Sequence, residues 1–131
     1  MDDLFRFPSA VRRDPAIDAW LRARPPELRP LAEAWFGRLR ACGDDVREVM
    51  HDGCPTACVG DAAFAHVGVY RRHVSVYFFF GASLPDPTGL LEGTGKRGRH
   101  VKVYPGQADQ QEPLTRLIAI AYQDMKKRVT G

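Results

Sequence analysis

Two hydrophobic periods divide this chain, and they restrict what it can fold into. Between Asp44 and Tyr104 apolar residues recur at every second position, with one loop interrupting; before and after that segment they recur every third or fourth. A period of two alternates between the faces of a strand, whereas a period near 3.6 lines one side of a helix. The order helices, strands, helix predicts an α+β domain: an antiparallel β-sheet with N-terminal and C-terminal helices packed on one face.

Residues 1–13 read as an irregular leader, with Phe5 and Phe7 able to pack back onto the body, and 14–131 as one domain. Asp14-Pro15 starts a helix, with a side-chain acceptor at the N-cap and a proline where the missing N–H is harmless. Ile17, Trp20 and Leu21 share its face, and Pro25-Pro26 ends it. A second helix carries Leu28, Leu31, Trp35, Leu39 and Cys42, starts comfortably near Arg29 and stops by Gly43. In the last helix Leu114, Leu117, Ile118, Ala121, Tyr122, Met125 and Val129 form one stripe, with Lys126, Lys127 and Arg128 at its dipole-negative end.

Among the strands, Val46, Glu48 and Met50 alternate with Arg47, Val49 and His51, which leaves the buried face open; HDGCP then marks a turn. Ala65, Val67 and Val69 alternate with Phe64, His66, Gly68 and Tyr70. After an Arg71-Arg72 hairpin link, Val74, Val76, Phe78 and Phe80 share one face. Val101 and Val103 follow in the last strand. If helices cover the Val/Phe side, the opposite face holds His66, Tyr70, His73, Ser75, Tyr77, Phe79, His100, Lys102 and Tyr104. An open antiparallel face is commonly polar. This aromatic and imidazole surface suits a homodimer face, the floor of a ligand pocket roofed by the loop 81–98, or a surface partly covered by the leader.

Composition narrows the function classes. A chain of 131 residues buries about two thirds of its unfolded surface and needs no metal or disulfide staple. A net charge of +3 biases encounters toward anions without the footprint of a nucleic-acid binder. No apolar run approaches a membrane span, no secretory signal opens the chain, and Cys42, Cys54 and Cys58 make an odd count. The expectation is a cytoplasmic protein with reduced thiols, no cofactor, and neither membrane nor nucleic acid as partner.

The run GTGKRGRHVK combines Gly93, Gly95 and Gly98 with Lys96, Arg97, Arg99, His100 and Lys102. Close backbone approach and positive charge suit a phosphate or carboxylate. It is not a Walker A loop, since Arg97 follows the Gly-Lys pair and a strand comes next. The plainer reading has the glycines making turns while Arg99 pairs with Asp86 or Glu92. His51, Cys54, Cys58 and His66, spaced H-x2-C-x3-C-x7-H, are weak metal candidates because paired knuckles are missing. Cys58 suits a core position. Asp44, Asp45 and Glu48 look like turn and surface acids, and no catalytic pair stands out. An RNA-binding sheet would need a glycine-aromatic motif that is missing here.

The stretch from Gly53 to Gly106 resembles the YdhG-like family of uncharacterised bacterial domains. The likeness rests on His73, Val74 and Val76, on Phe78-Phe79, on Asp86-Pro87, on Leu90 to Lys96, and on Arg99 to Lys102. Tyr77 stands where the family pattern has glycine, adding bulk to the non-core face. The resemblance implies a compact α+β fold. Some members are described as frataxin-like intracellular iron chaperones, which hold iron on acidic ridges. Here Arg22, Arg24, Arg29, Arg38 and Arg40 lie on or near the second helix, against Glu27 and Glu33. The leading expectation is a non-enzymatic binding domain for a small anionic ligand at the loop 93–102. Lys96, Arg99, His100 and Lys102 would hold the anion, with His73 and Tyr77 on the sheet side. Iron delivery and homodimerisation through the aromatic face are the alternatives.

Overall fold

Asp14 behaves as its sequence context requires: its carboxylate accepts from the Ala16 N–H at 2.9 Å, and Pro15 opens the first helix. The computed structural model describes residues 3–131. Among them the order is α1 (Pro15–Arg22), α2 (Arg29–Arg40), β1 (Val46–His51), β2 (Cys54–Val59), β3 (Ala62–Val69), β4 (Val74–Phe78), β5 (Arg99–Val103) and α3 (Gln111–Thr130). The five strands form one antiparallel sheet in the order β1-β2-β3-β4-β5, so each strand lies beside its neighbour in sequence. This is the α+β class expected from the periodicity, with helices from both ends of the chain.

The core lies between the helices and one face of the sheet. Val67, Val74, Val76, Phe78 and Val101 are fully buried, as are Ile17, Phe36, Leu39 and Leu114 from the helices. Each such side chain contributes about 1.5–3 kcal/mol through burial. No helix among the described residues is long and apolar enough to cross a membrane.

Two features depart from the alternation read in the sequence. The segment Cys54–Val59 is a full strand, where only a turn is legible in HDGCP. Every residue from Pro55 to Val59 is buried, so no polar side marks the period. Phe64 also turns inward, although simple alternation sets it with His66. Ala57 pairs with Ala65 and Cys58 with Ala63, so Phe64 is the extra residue of a bulge. Its ring then meets Tyr122 of α3 edge-on at 5.8 Å.

The leader supplies the cover on the other side of β2. Phe7 N–H donates to the Asp61 carbonyl at 2.8 Å and Ala63 N–H to the Phe5 carbonyl at 2.9 Å, while Val11 pairs with Glu48 at the outer edge of β1. Between these anchors the chain crosses β2. Phe5 packs on Phe79 and Phe7 on His51, with ring centroids 5.2 and 4.5 Å apart. The leader therefore covers one end of the open face and caps an exposed sheet edge.

Glu48 is not a surface acid; it is 1% exposed. Its carboxylate accepts from Arg40 Nε and Nη2 at 2.8 Å each and from the Asp14 N–H at 2.9 Å. Arg40 also lies 3.1 Å from Asp18. One guanidinium thus joins α1, α2 and β1. Removing one partner of a buried pair strands the other charge, so Glu48→Ala should cost about 3–5 kcal/mol. Arg116→Ala, which breaks an exposed pair with Glu112, should cost under about 0.5 kcal/mol. Urea denaturation of both variants, read as midpoint shifts at constant slope, checks the contrast.

Candidate functional site

Pairing from β3 through β5 runs without a bulge, so facing residues line up in rows across the three strands. With the valines turned to the core, His66, Tyr77 and His100 form one row on the open face. Gly68, Ser75 and Lys102 form the next. Beyond them Tyr70 donates its N–H to the His73 carbonyl at 2.9 Å, and the His73 ring lies 5.0 Å from Tyr70 and 5.3 Å from Tyr104. Two ring-bearing rows thus flank a row with a glycine and a serine in it. The result is a hollow of about 300 Å³ above Ser75, walled by His66 and Tyr77, by Tyr70 and His73, and by His100 and Lys102.

The side chains of this wall hold one another flat. His66 stacks on Tyr77 at 4.7 Å with 23° between planes, and Tyr70 stacks on His73 at 14°. Gly68 lets Tyr70 lean onto the sheet: an added Cβ would come within 3.1 Å of its Cε2. Gly98 serves Tyr77 similarly, since a Cβ there would overlap the Tyr77 hydroxyl. The end of the glycine-rich loop consequently rests on the residue that replaces the expected glycine.

Of the expected anion ligands, His73, Tyr77, His100 and Lys102 come together at the hollow. Lys96 and Arg99 do not line it. Lys96 is exposed on the loop, and Arg99 turns Nη1 back onto the carbonyls of Gly95 and Gly98 at 2.5 and 2.7 Å. Arg97 reaches Asp3 at 3.8 Å, and Lys102 reaches Glu92 at the same distance. Asp86 is engaged by the N–H groups of Leu90 and Leu91 at 2.9 Å each, so Arg99 pairs with neither expected acid. No residue of the loop 81–98 lines the hollow, so the loop is no roof for it.

His66, Ser75 and Tyr70 complete the wall although none of them was expected among the anion ligands. Their signal was the same two-residue alternation that placed Tyr77. His66 is the most constrained: its Nδ1 is buried without a hydrogen-bond partner. Burial, aided by repulsion from His51, pushes its pKa down to about 4. His73 is also lowered, by burial first and then by Lys102 and His100.

The metal candidates do not gather into a site among the described residues. His51 sits under Phe7 and 3.3 Å from Asp52, Cys54 pairs across from His51 in the β1–β2 hairpin, and Cys58 is fully buried. Burial pushes the Cys58 thiol up to about 12. Among the described residues no three His, Cys, Asp or Glu side chains gather as a metal-binding group. A larger hollow, about 630 Å³, lies over the Arg40–Glu48 joint. Arg40 and Glu48 there are committed to each other, Arg13 lies 3.5 Å from Asp18, and Arg12 donates to the Asp44 carbonyl at 3.4 Å. The smaller hollow is the better candidate because it brings together His73, Tyr77, His100 and Lys102 among paired rings.

No protein-family model matches this chain, and neither a curated protein nor a solved structure is detectably similar to it.

Folded His66 resists protonation, whereas the unfolded chain takes up a proton near pH 6.5. The stability held by neutral His66 is whole above that pH and is lost progressively as pH falls toward about 4. The loss should reach about 3 kcal/mol. Urea midpoints at pH 7, 5.5 and 4 should show it in the wild type, with a shallower profile for His66→Gln.

Proposed function

We propose that this chain is a non-enzymatic binding domain of the YdhG-like kind, holding a small anionic ligand in the hollow on the open sheet face. One observation supports the reading: Lys102, His73, His100, Ser75 and Tyr77 line one hollow that is open to solvent. A carboxylate or similar anion there meets one formal cation, imidazole N–H donors and a hydroxyl, with rings excluding water around it. Binding is favoured over catalysis by the thiols: burial raises all three, Cys42 to about 11 and Cys58 to about 12, so none is poised as a nucleophile. The loop cations act at a distance in this reading, with Arg97 and Arg99 spent on holding the loop.

A second reading, self-association through the same face, draws on its exposed rings: Tyr70 is 54% and Tyr104 39% exposed. Aromatic side chains with polar tips suit a dimer interface.

Losing one charge-assisted contact costs about 1.5–3 kcal/mol, so Lys102→Gln should weaken anion binding at least about tenfold while Lys96→Ala changes it little. Calorimetric titration of the wild type and both variants with a small carboxylate checks this; equal affinity for wild type and Lys102→Gln counts against the hollow. Self-association calls for sedimentation of wild type and Tyr70→Glu. It requires a wild-type dimer that the substitution dissociates, and a monomer in both cases removes it.

A further inference from the structure

The shape of the hollow says more about its occupant than its charge does. Same-face residues on a strand are about 6.6 Å apart, so the two ring-bearing rows stand about 13 Å apart between backbones. Gly68 and Ser75 are the small residues between them; the Tyr70 ring leans over Gly68, and the space that remains lies above Ser75 beside Lys102. Both walls present stacked pairs, His66 on Tyr77 and Tyr70 on His73. Ring faces and edges attract other rings in offset or edge-on geometry more than they attract saturated chains. At about 300 Å³ the space sits at the small end of ligand pockets and has room for a ring.

Charge then limits the polar group. Among the described residues Lys102 is the one formal cation lining the hollow, and Glu92 lies 3.8 Å from it. Arg97 and Arg99, which would make a dianion site, are engaged elsewhere. Burial, and after it Lys102 and His100, also hold down His73, so it adds little standing charge at neutral pH. The balance suits a single negative charge and disfavours a phosphate dianion.

We infer that the hollow is specific for a single planar aromatic ring bearing one carboxylate, the ring lying between the Tyr70–His73 and His66–Tyr77 pairs and the carboxylate toward Lys102. This inference rests on the anion-binding reading above. The full chain would be titrated with benzoate, cyclohexanecarboxylate and inorganic phosphate at pH 7, following heat and the NMR signals of the tyrosine rings. Benzoate should bind about tenfold tighter than cyclohexanecarboxylate and phosphate weakest of the three. Tyr70 is more than half exposed, so Tyr70→Ala should leave the fold intact. That substitution should remove the preference for benzoate, and Tyr70→Phe should keep it. Equal affinity for the two carboxylates, or a preference for phosphate, overturns the ring inference while anion binding stands. If none of the three binds, the anion reading fails and the inference falls with it.

Discussion

Unbroken pairing from β3 to β5 governs both halves of this protein. Once Val67, Val76 and Val101 are drawn together against the helices, their sequence neighbours have no choice of side. His66, Tyr77 and His100 must form a row on the opposite face, and Gly68, Ser75 and Lys102 must form the next. A slip of one residue in either pairing would turn the valines to water and destroy the rows together. The core thus specifies the hollow: burial on one face does the positioning for the other.

The N-terminal third is joined to the sheet by polar groups. Arg40 reaches Asp18 in α1 and Glu48 in β1 from its own place in α2, and Glu48 also accepts the backbone N–H at the start of α1. A buried carboxylate with this many donors is fully satisfied, which is the condition under which such a group is tolerated. The leader then lays Phe5 over Phe79 and Phe7 over His51. Leader and hollow share the open face between them, one end covered and the other left open. The surface-covering and pocket-floor readings of the aromatic face are therefore compatible.

The glycine–cation run is a lesson in what clustering along a chain means. Its cations are adjacent in sequence, yet Arg97 turns to Asp3, Arg99 to the loop's own carbonyls, and Lys96 to solvent. His100 and Lys102 line a shared space whereas Arg99, the first residue of β5, turns the other way, because a strand imposes alternate directions. The glycines have a local task as well. Gly98 is the position where any side chain would collide with Tyr77, so the loop and the bulky residue on β4 fit only as a pair.

Local physics made much of this legible in the residues. The helix starting at Asp14-Pro15, the stripe from Leu114 to Met125, and the alternation through Val74, Val76 and Phe78 each follow from neighbours in the chain. So does membership of the open face, since a strand's period is independent of what packs on it. What tertiary structure alone decided involves partners distant in sequence. β2 lost its alternation because both of its sides are buried, and Phe64 changed face because a bulge shifted its register. Glu48 became a buried joint because Arg40 and the Asp14 backbone meet it there. The hollow, too, exists only once three strands are in register, for no stretch of chain records which residues will stand across from one another.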